Sequence, residues 1–160
     1  MKLGDMDYDK VLDVFRALNR HDVDYVVVGA VALGLHGLVR ATQDLDLFVR
    51  PSPPNIEKLR SALAAVWPDP AILELTAEDL LGEFPVVGYV PPEGDMTVDL
   101  IGRLGEAFQF DDIEWETLDA GGVPVRVATP AMLHRMKCDT VRPQDAVDAQ
   151  ALRAKFGLEP

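Results

Sequence analysis

Arg40, Thr42, Asp44 and Asp46 recur at every second position of the chain. In an extended strand they project from one face, while Leu45, Leu47 and Val49 project from the other. Carboxylates two residues apart on one face stand roughly 7 Å apart at their Cα atoms. They repel unless something positive sits between them, and a hard divalent ion such as Mg²⁺ takes carboxylate oxygens. Asp99 is a lone acid in the otherwise apolar run Met96–Ile101, where burial is costly unless the group is paired or metal-bound. If that run lies beside the Asp44–Asp46 strand, three carboxylates converge. Three can hold two Mg²⁺ ions about 4 Å apart, the arrangement used for in-line displacement at phosphorus. The pattern alone also fits a half-buried edge strand with its polar side in water and Asp99 at a strand end.

Other residues extend this set. Gly29 ends a β-branched run and is followed by the small residues Ala30 and Ala32. Such a turn brings backbone N–H groups close to an anion such as a triphosphate, and it equally describes tight strand-to-helix packing. Arg40 would orient the carboxylates or a phosphate, and Thr42 shares its face. Further on, Lys137 would meet a phosphate and Asp145 would orient it or a base, unless the two simply belong to an exposed helix pair. His21, His36 and His134 lack zinc-type spacing, and a packing or surface role is expected for His36. Cys138 has no spaced histidine marking a catalytic pair, and reads as a half-buried helical thiol. No Gly-x-Ser-x-Gly elbow or Walker A loop is present.

The elements that must position these groups alternate in type. Apolar spacing predicts a helix over 8–21, with Val11, Leu12, Phe15 and Leu18 on one face. Residues 25–28 and 44–49 read as strands, and 30–36 as a short helix. Pro51, Pro53 and Pro54 break the chain before a helix over 56–66. Residues 67–95, rich in proline and glycine, read as loops around a short strand at 86–90. Strands follow at 96–101 and, after the Gly121-Gly122 turn, at 123–128, with Trp67 and Trp115 assigned to packing or loops. Helices are expected over 130–140 and 143–156, the second stopped at Gly157. Interleaved strands and helices predict an α+β fold, a mixed β-sheet with flanking helices, in one domain.

Composition bounds the function. The chain has 160 residues, 48% hydrophobic and 26% charged, ordinary for a globular protein. No apolar run approaches the ~20 residues of a membrane span, and the first ten residues do not resemble a signal peptide. With a single cysteine, a cytoplasmic location is expected. The net charge of −12 disfavours a grip on long nucleic acid unless a groove is locally basic. It suits a small or cationic substrate, a protein partner or bound metal ions.

Taken together, Gly29-Ala30-x-Ala32, Gly37, Arg40-x-Thr42-x-Asp44-x-Asp46 and the later Asp99 resemble the polymerase-β nucleotidyltransferase superfamily. The similarity is to its small bacterial branch related to AbiEii toxins, and its core spans roughly residues 24–50. Leu133, Lys137, Arg142, Asp145 and Asp148 resemble the pattern near the end of AbiEii-like proteins, where a lysine and an aspartate act near the nucleotide. Where many relatives carry a glycine or serine, this chain has Ala30, which offers a phosphate no hydroxyl. The resemblance implies transfer of a nucleoside monophosphate from an NTP, with two Mg²⁺ ions on Asp44, Asp46 and Asp99. Gly29, Ala30, Arg40, Thr42 and Lys137 would bind the nucleotide. It further implies a toxin–antitoxin or phage-defence setting with a cognate toxin or antitoxin. The acceptor is expected to be an RNA, a protein or a small molecule such as an aminoglycoside. The alternative is an inactive binding module or antitoxin subunit that keeps the fold.

Overall fold

The computed structural model describes residues 6–138 and 142–159. Helix α1 (Tyr8–Arg20) is capped by Asp7, whose carboxylate accepts from the Lys10 amide at 3.2 Å. It leads into β1 (Tyr25–Val28), α2 (Gly29–Leu35), β2 (Asp44–Val49) and α3 (Pro53–Val66). Two 3₁₀ turns precede β3 (Val86–Tyr89) and β4 (Thr97–Ile101). The short strands β5 (Arg103–Leu104) and β6 (Phe108–Gln109) form a hairpin of their own. β7 (Trp115–Ala120), β8 (Val123–Ala128), α4 (Pro130–Lys137) and α5 (Pro143–Phe156) complete the chain.

Six strands form one sheet in the order β3-β4-β2-β1-β8-β7. β2 runs antiparallel to β1 and parallel to β4, so the sheet is mixed. β1 is buried along its whole length, as a strand covered on both faces must be. Leu45 and Leu47 on β2 and Val98 and Leu100 on β4 are fully buried in the core. On that face α3 packs beside α1. The opposite face carries Asp46 and Asp99 and is flanked by α2, α4 and α5. The mixed sheet with flanking helices is the α+β architecture that the alternating pattern predicts.

Several boundaries differ for physical reasons. α3 begins at Pro53, because the Ser52 hydroxyl accepts from the Asn55 amide at 3.3 Å and the two prolines fill the first turn. Proline is tolerated there because those N–H groups have no intrahelical acceptor. α4 ends at Lys137, and the rest of the helix expected to 140 falls partly on 139–141, outside the described residues. Trp115 is not in a loop but starts edge strand β7, which pairs with β8 across a Gly121-Gly122 turn. Both turn glycines have positive φ, 57° and 87°, the conformation that tight hairpin turns require. Among the described residues, no helix is long and apolar enough to cross a membrane.

Candidate active site

The register of the parallel β2–β4 pair puts Asp46 directly opposite Asp99. Both point to the same face, and their carboxyl groups hydrogen-bond to each other. Burial, that hydrogen bond, and the negative charges of Asp99 and Asp44 push the Asp46 carboxyl up to about 7, against a smaller lowering by Lys137. Two acids held this close cannot both ionise cheaply without a cation between them. Asp44 pairs in register with Thr97 and is exposed at the strand's start. It acts on Asp46 by charge but does not line the cleft beside the pair.

That cleft encloses about 560 Å³ between the sheet, α2, α4, the start of α5 and the β5–β6 hairpin. Asp46 and Asp99 lie in it with Gly29, Ala30, Arg40 and Lys137. Gly29 has φ +70°, and a Cβ there would collide with the Asp46 carboxylate. Only glycine combines that backbone conformation with that closeness. Ala30 is buried, so its small side chain also serves packing. α2 is only seven residues long, and its N-terminus is therefore a weak anion site by itself.

The nucleotide-binding residues expected from the sequence divide. Arg40 and Lys137 reach the cleft, whereas Thr42 does not line it. The Asp44 amide donates to the Thr42 hydroxyl at 3.1 Å, a local turn bond that shapes the entry to β2. Lys137 Nζ lies 3.1 Å from Asp145 and 3.0 Å from Asp148, and Arg40 lies 3.4 Å from Asp148. Asp145 is therefore coupled to Lys137 at the cleft wall and is no mere helix-start acid. Sequence reasoning missed the other cleft wall, in which Phe108 of the hairpin lies under the Arg135 guanidinium at 5.7 Å.

Two peripheral readings are also resolved. His36 donates through Nε2 to the Ala128 carbonyl at 2.8 Å and packs edge-on against Phe156, which is a structural role. Cys138 is exposed at the end of α4 rather than half-buried, because the helix stops just before it. Its sulfur lies 3.3 Å from the His134 ring, one helical turn away, a partner that the sequence reading did not foresee.

Asp46 and Asp99 would offer Mg²⁺ two hard oxygen donors from register partners on adjacent strands. Mg²⁺ in such sites is held by one or two carboxylates with substrate phosphates completing the shell. Among the described residues no group of three or more histidine, cysteine, aspartate or glutamate side chains is placed to hold a metal ion, so the three-carboxylate set expected from the sequence comes together in the cleft only as the Asp46–Asp99 pair.

The mixed sheet with flanking helices is the fold of nucleotidyltransferases of known structure. The chain is similar in structure to ANT(2")-Ia in complex with adenylyl-2"-tobramycin, with a TM-score of 0.56 and 15% identity. The match covers 94% of this chain and 89% of that one. It is likewise similar to a Thermotoga maritima protein assigned as a nucleotidyltransferase, with a TM-score of 0.51, 14% identity, and coverage of 94% and 93%. An antigenic nucleotidyltransferase-like protein from Paracoccidioides brasiliensis matches with a TM-score of 0.53, 18% identity, and coverage of 93% and 77%. No protein-family model and no curated protein matches the chain in sequence.

Proposed function

We propose that this protein is a Mg²⁺-dependent nucleotidyltransferase that moves a nucleoside monophosphate from an NTP onto an acceptor hydroxyl. The observation that carries this reading is the Asp46–Asp99 pair, held carboxyl to carboxyl at the wall of a cleft that also contains Lys137 and Arg40. Mg²⁺ bound by these carboxylates would neutralise phosphate charge and lower the pKa of the attacking hydroxyl. Asp44 adds negative charge at the rim that favours a cation there. Lys137 and Arg40 would bind the triphosphate by charge-assisted hydrogen bonds. Asp99 adjoins Gly88, where a Cβ would sit 3.3 Å from Oδ1, so the backbone leaves that side of the carboxylate uncrowded. From there Asp99 would accept the acceptor's proton as its oxygen bonds to the α-phosphorus and the bond to the departing pyrophosphate breaks.

A cationic small molecule is one acceptor class, in keeping with the overall charge of −12 and with the adenylyl-2"-tobramycin bound to the structural neighbour. RNA and protein hydroxyls are the others, and the AbiEii-like resemblance supports a toxin–antitoxin or phage-defence setting. The competing reading is an inactive module of the same fold. It is favoured by the engagement of Lys137 with two aspartates in the free protein.

Label transfer separates the two. The protein is incubated with each α-labelled NTP, Mg²⁺ and separate pools of RNA, protein and small molecules, with Asp46→Asn as control. Label in one pool, absent from the control, establishes transfer and names the acceptor class. Absence of both transfer and NTP binding favours the inactive module.

A further inference from the structure

Asp148 lies on α5, behind the cleft wall. It is 5% exposed and does not line the cleft. Burying an ionised carboxylate is costly unless it is paired, and both of its cationic partners are cleft residues. Lys137 Nζ stands 3.0 Å from its Oδ2 and an Arg40 guanidinium nitrogen 3.4 Å away, while Gln144 donates to Oδ1 at 2.9 Å. The two cations come from distant segments. Arg40 belongs to the loop between α2 and β2, and Lys137 to the last turn of α4. Without Asp148 between them the two cations would repel, and Arg40 would regain rotamer freedom while Lys137 stayed paired with Asp145.

The contact is one of charge rather than of aligned hydrogen bonds. Asp148 Oδ2 and Arg40 Nε are both buried without a hydrogen-bond partner. Asp148 thus holds the two cations together while leaving hydrogen-bonding capacity unspent. Asp145, the other aspartate on Lys137, lines the cleft itself. Asp148 can reach a ligand only through its partners.

We infer that Asp148 is the positioning residue of the nucleotide site, setting Lys137 and Arg40 at the spacing that receives the triphosphate. The inference rests on the nucleotidyltransferase reading above. It makes a prediction of definite sign. If Asp148 were only a nearby negative charge, Asp148→Asn would make the cleft more positive and tighten NTP binding. A positioning role requires the opposite, weaker binding per folded molecule.

The test is calorimetric titration with Mg²⁺ and the α,β-non-hydrolysable analogues of ATP, CTP, GTP and UTP. Wild type, Asp148→Asn, Lys137→Gln and the double variant are compared, with folded fraction checked by circular dichroism. Asp148→Asn is expected to raise Kd about ten-fold, the scale of losing one buried charge contact. In the Lys137→Gln background the same change should cost about three-fold or less, because one of its two routes to the ligand is already cut and only that through Arg40 is left. Unchanged or tighter binding by Asp148→Asn overturns the inference and leaves the proposed function standing. So does an equal ten-fold loss in both backgrounds. Wild-type protein that binds none of the four analogues overturns the proposed function, and this inference with it. Should Asp148→Asn fail to fold, Asp148→Glu keeps the charge but displaces it by a methylene. Weaker binding is then expected, and wild-type affinity overturns the inference.

Discussion

Asp46→Asn should change how stability depends on pH, even without metal or nucleotide. The Asp46 carboxyl is pushed up to about 7, first by burial and then by Asp99 beside it. An aspartate in the unfolded chain titrates near 3.9. The folded protein therefore binds this proton more tightly than the unfolded chain. The stabilisation is complete below about pH 4 and is lost as pH rises through about 7. Three units at 1.36 kcal/mol each give about 4 kcal/mol in all. Of this, about 2.5 kcal/mol falls between pH 5 and pH 8. Asparagine keeps the shape of a protonated aspartate and can donate to Asp99 at every pH. Thermal unfolding in EDTA at pH 5 and pH 8 measures the effect. The wild type should lose about 2.5 kcal/mol more than Asp46→Asn over that interval. That corresponds to roughly 5–10 °C in Tm at this chain length. Parallel pH dependence in the two proteins would refute the argument, because it would mean that the Asp46 carboxyl is neither buried nor held beside Asp99 in the folded protein.

Three further outcomes are expected. Gly29→Ala should lower stability by about 2 kcal/mol or more in urea unfolding and abolish label transfer, since its Cβ would displace the Asp46 carboxylate from a left-handed backbone position. NTP and Mg²⁺ together, at about 100 times Kd, should raise wild-type stability by about 2.7 kcal/mol in a thermal-shift assay, and the gain should vanish in Asp99→Asn. His36→Ala should lose its bond to the Ala128 carbonyl and its contact with Phe156. It should cost about 1–2 kcal/mol of stability in urea while leaving the rate of label transfer per folded molecule unchanged.

The carboxylate pair was legible because its signal is local. Alternation at residues 44–49 sets the face of each side chain, and an acid inside the apolar run 96–101 needs a partner. That the two runs are neighbours in register is a fact of pairing, not of composition. Edge strand β7 was not legible by hydrophobic pattern, because its residues are mostly exposed and it is held through backbone bonds to β8. Its one available signal was the Gly121-Gly122 pair, which marks a two-residue hairpin turn and implies a strand on each side. The start of α3 was obscured by prolines that read as breakers but act as first-turn residues after Ser52. The role of Thr42 is set by its bond to the Asp44 amide, an alternative that strand alternation does not reveal.

Net charge is an average that the cleft does not share. Among the described residues, its cations are Arg40, Arg135, Lys137 and Arg142, against the acids Asp46, Asp99 and Asp145. A chain of net charge −12 thus encloses a site with slightly more positive than negative side chains. Beyond a Debye length of about 8 Å at physiological salt, an incoming ligand no longer senses most of the exposed surface acids. Within the cleft, the local arrangement decides. Under the proposed function, Asp46 and Asp99 would draw a cation to one point, while Arg40 and Lys137, both beside Asp148, would draw an anion to another. A metal–triphosphate complex presents both charges at once. Neither a free cation nor a free polyanion matches that pairing, so the division of charge inside the cleft argues for a Mg²⁺-bound nucleotide more strongly than the total charge argues for any acceptor.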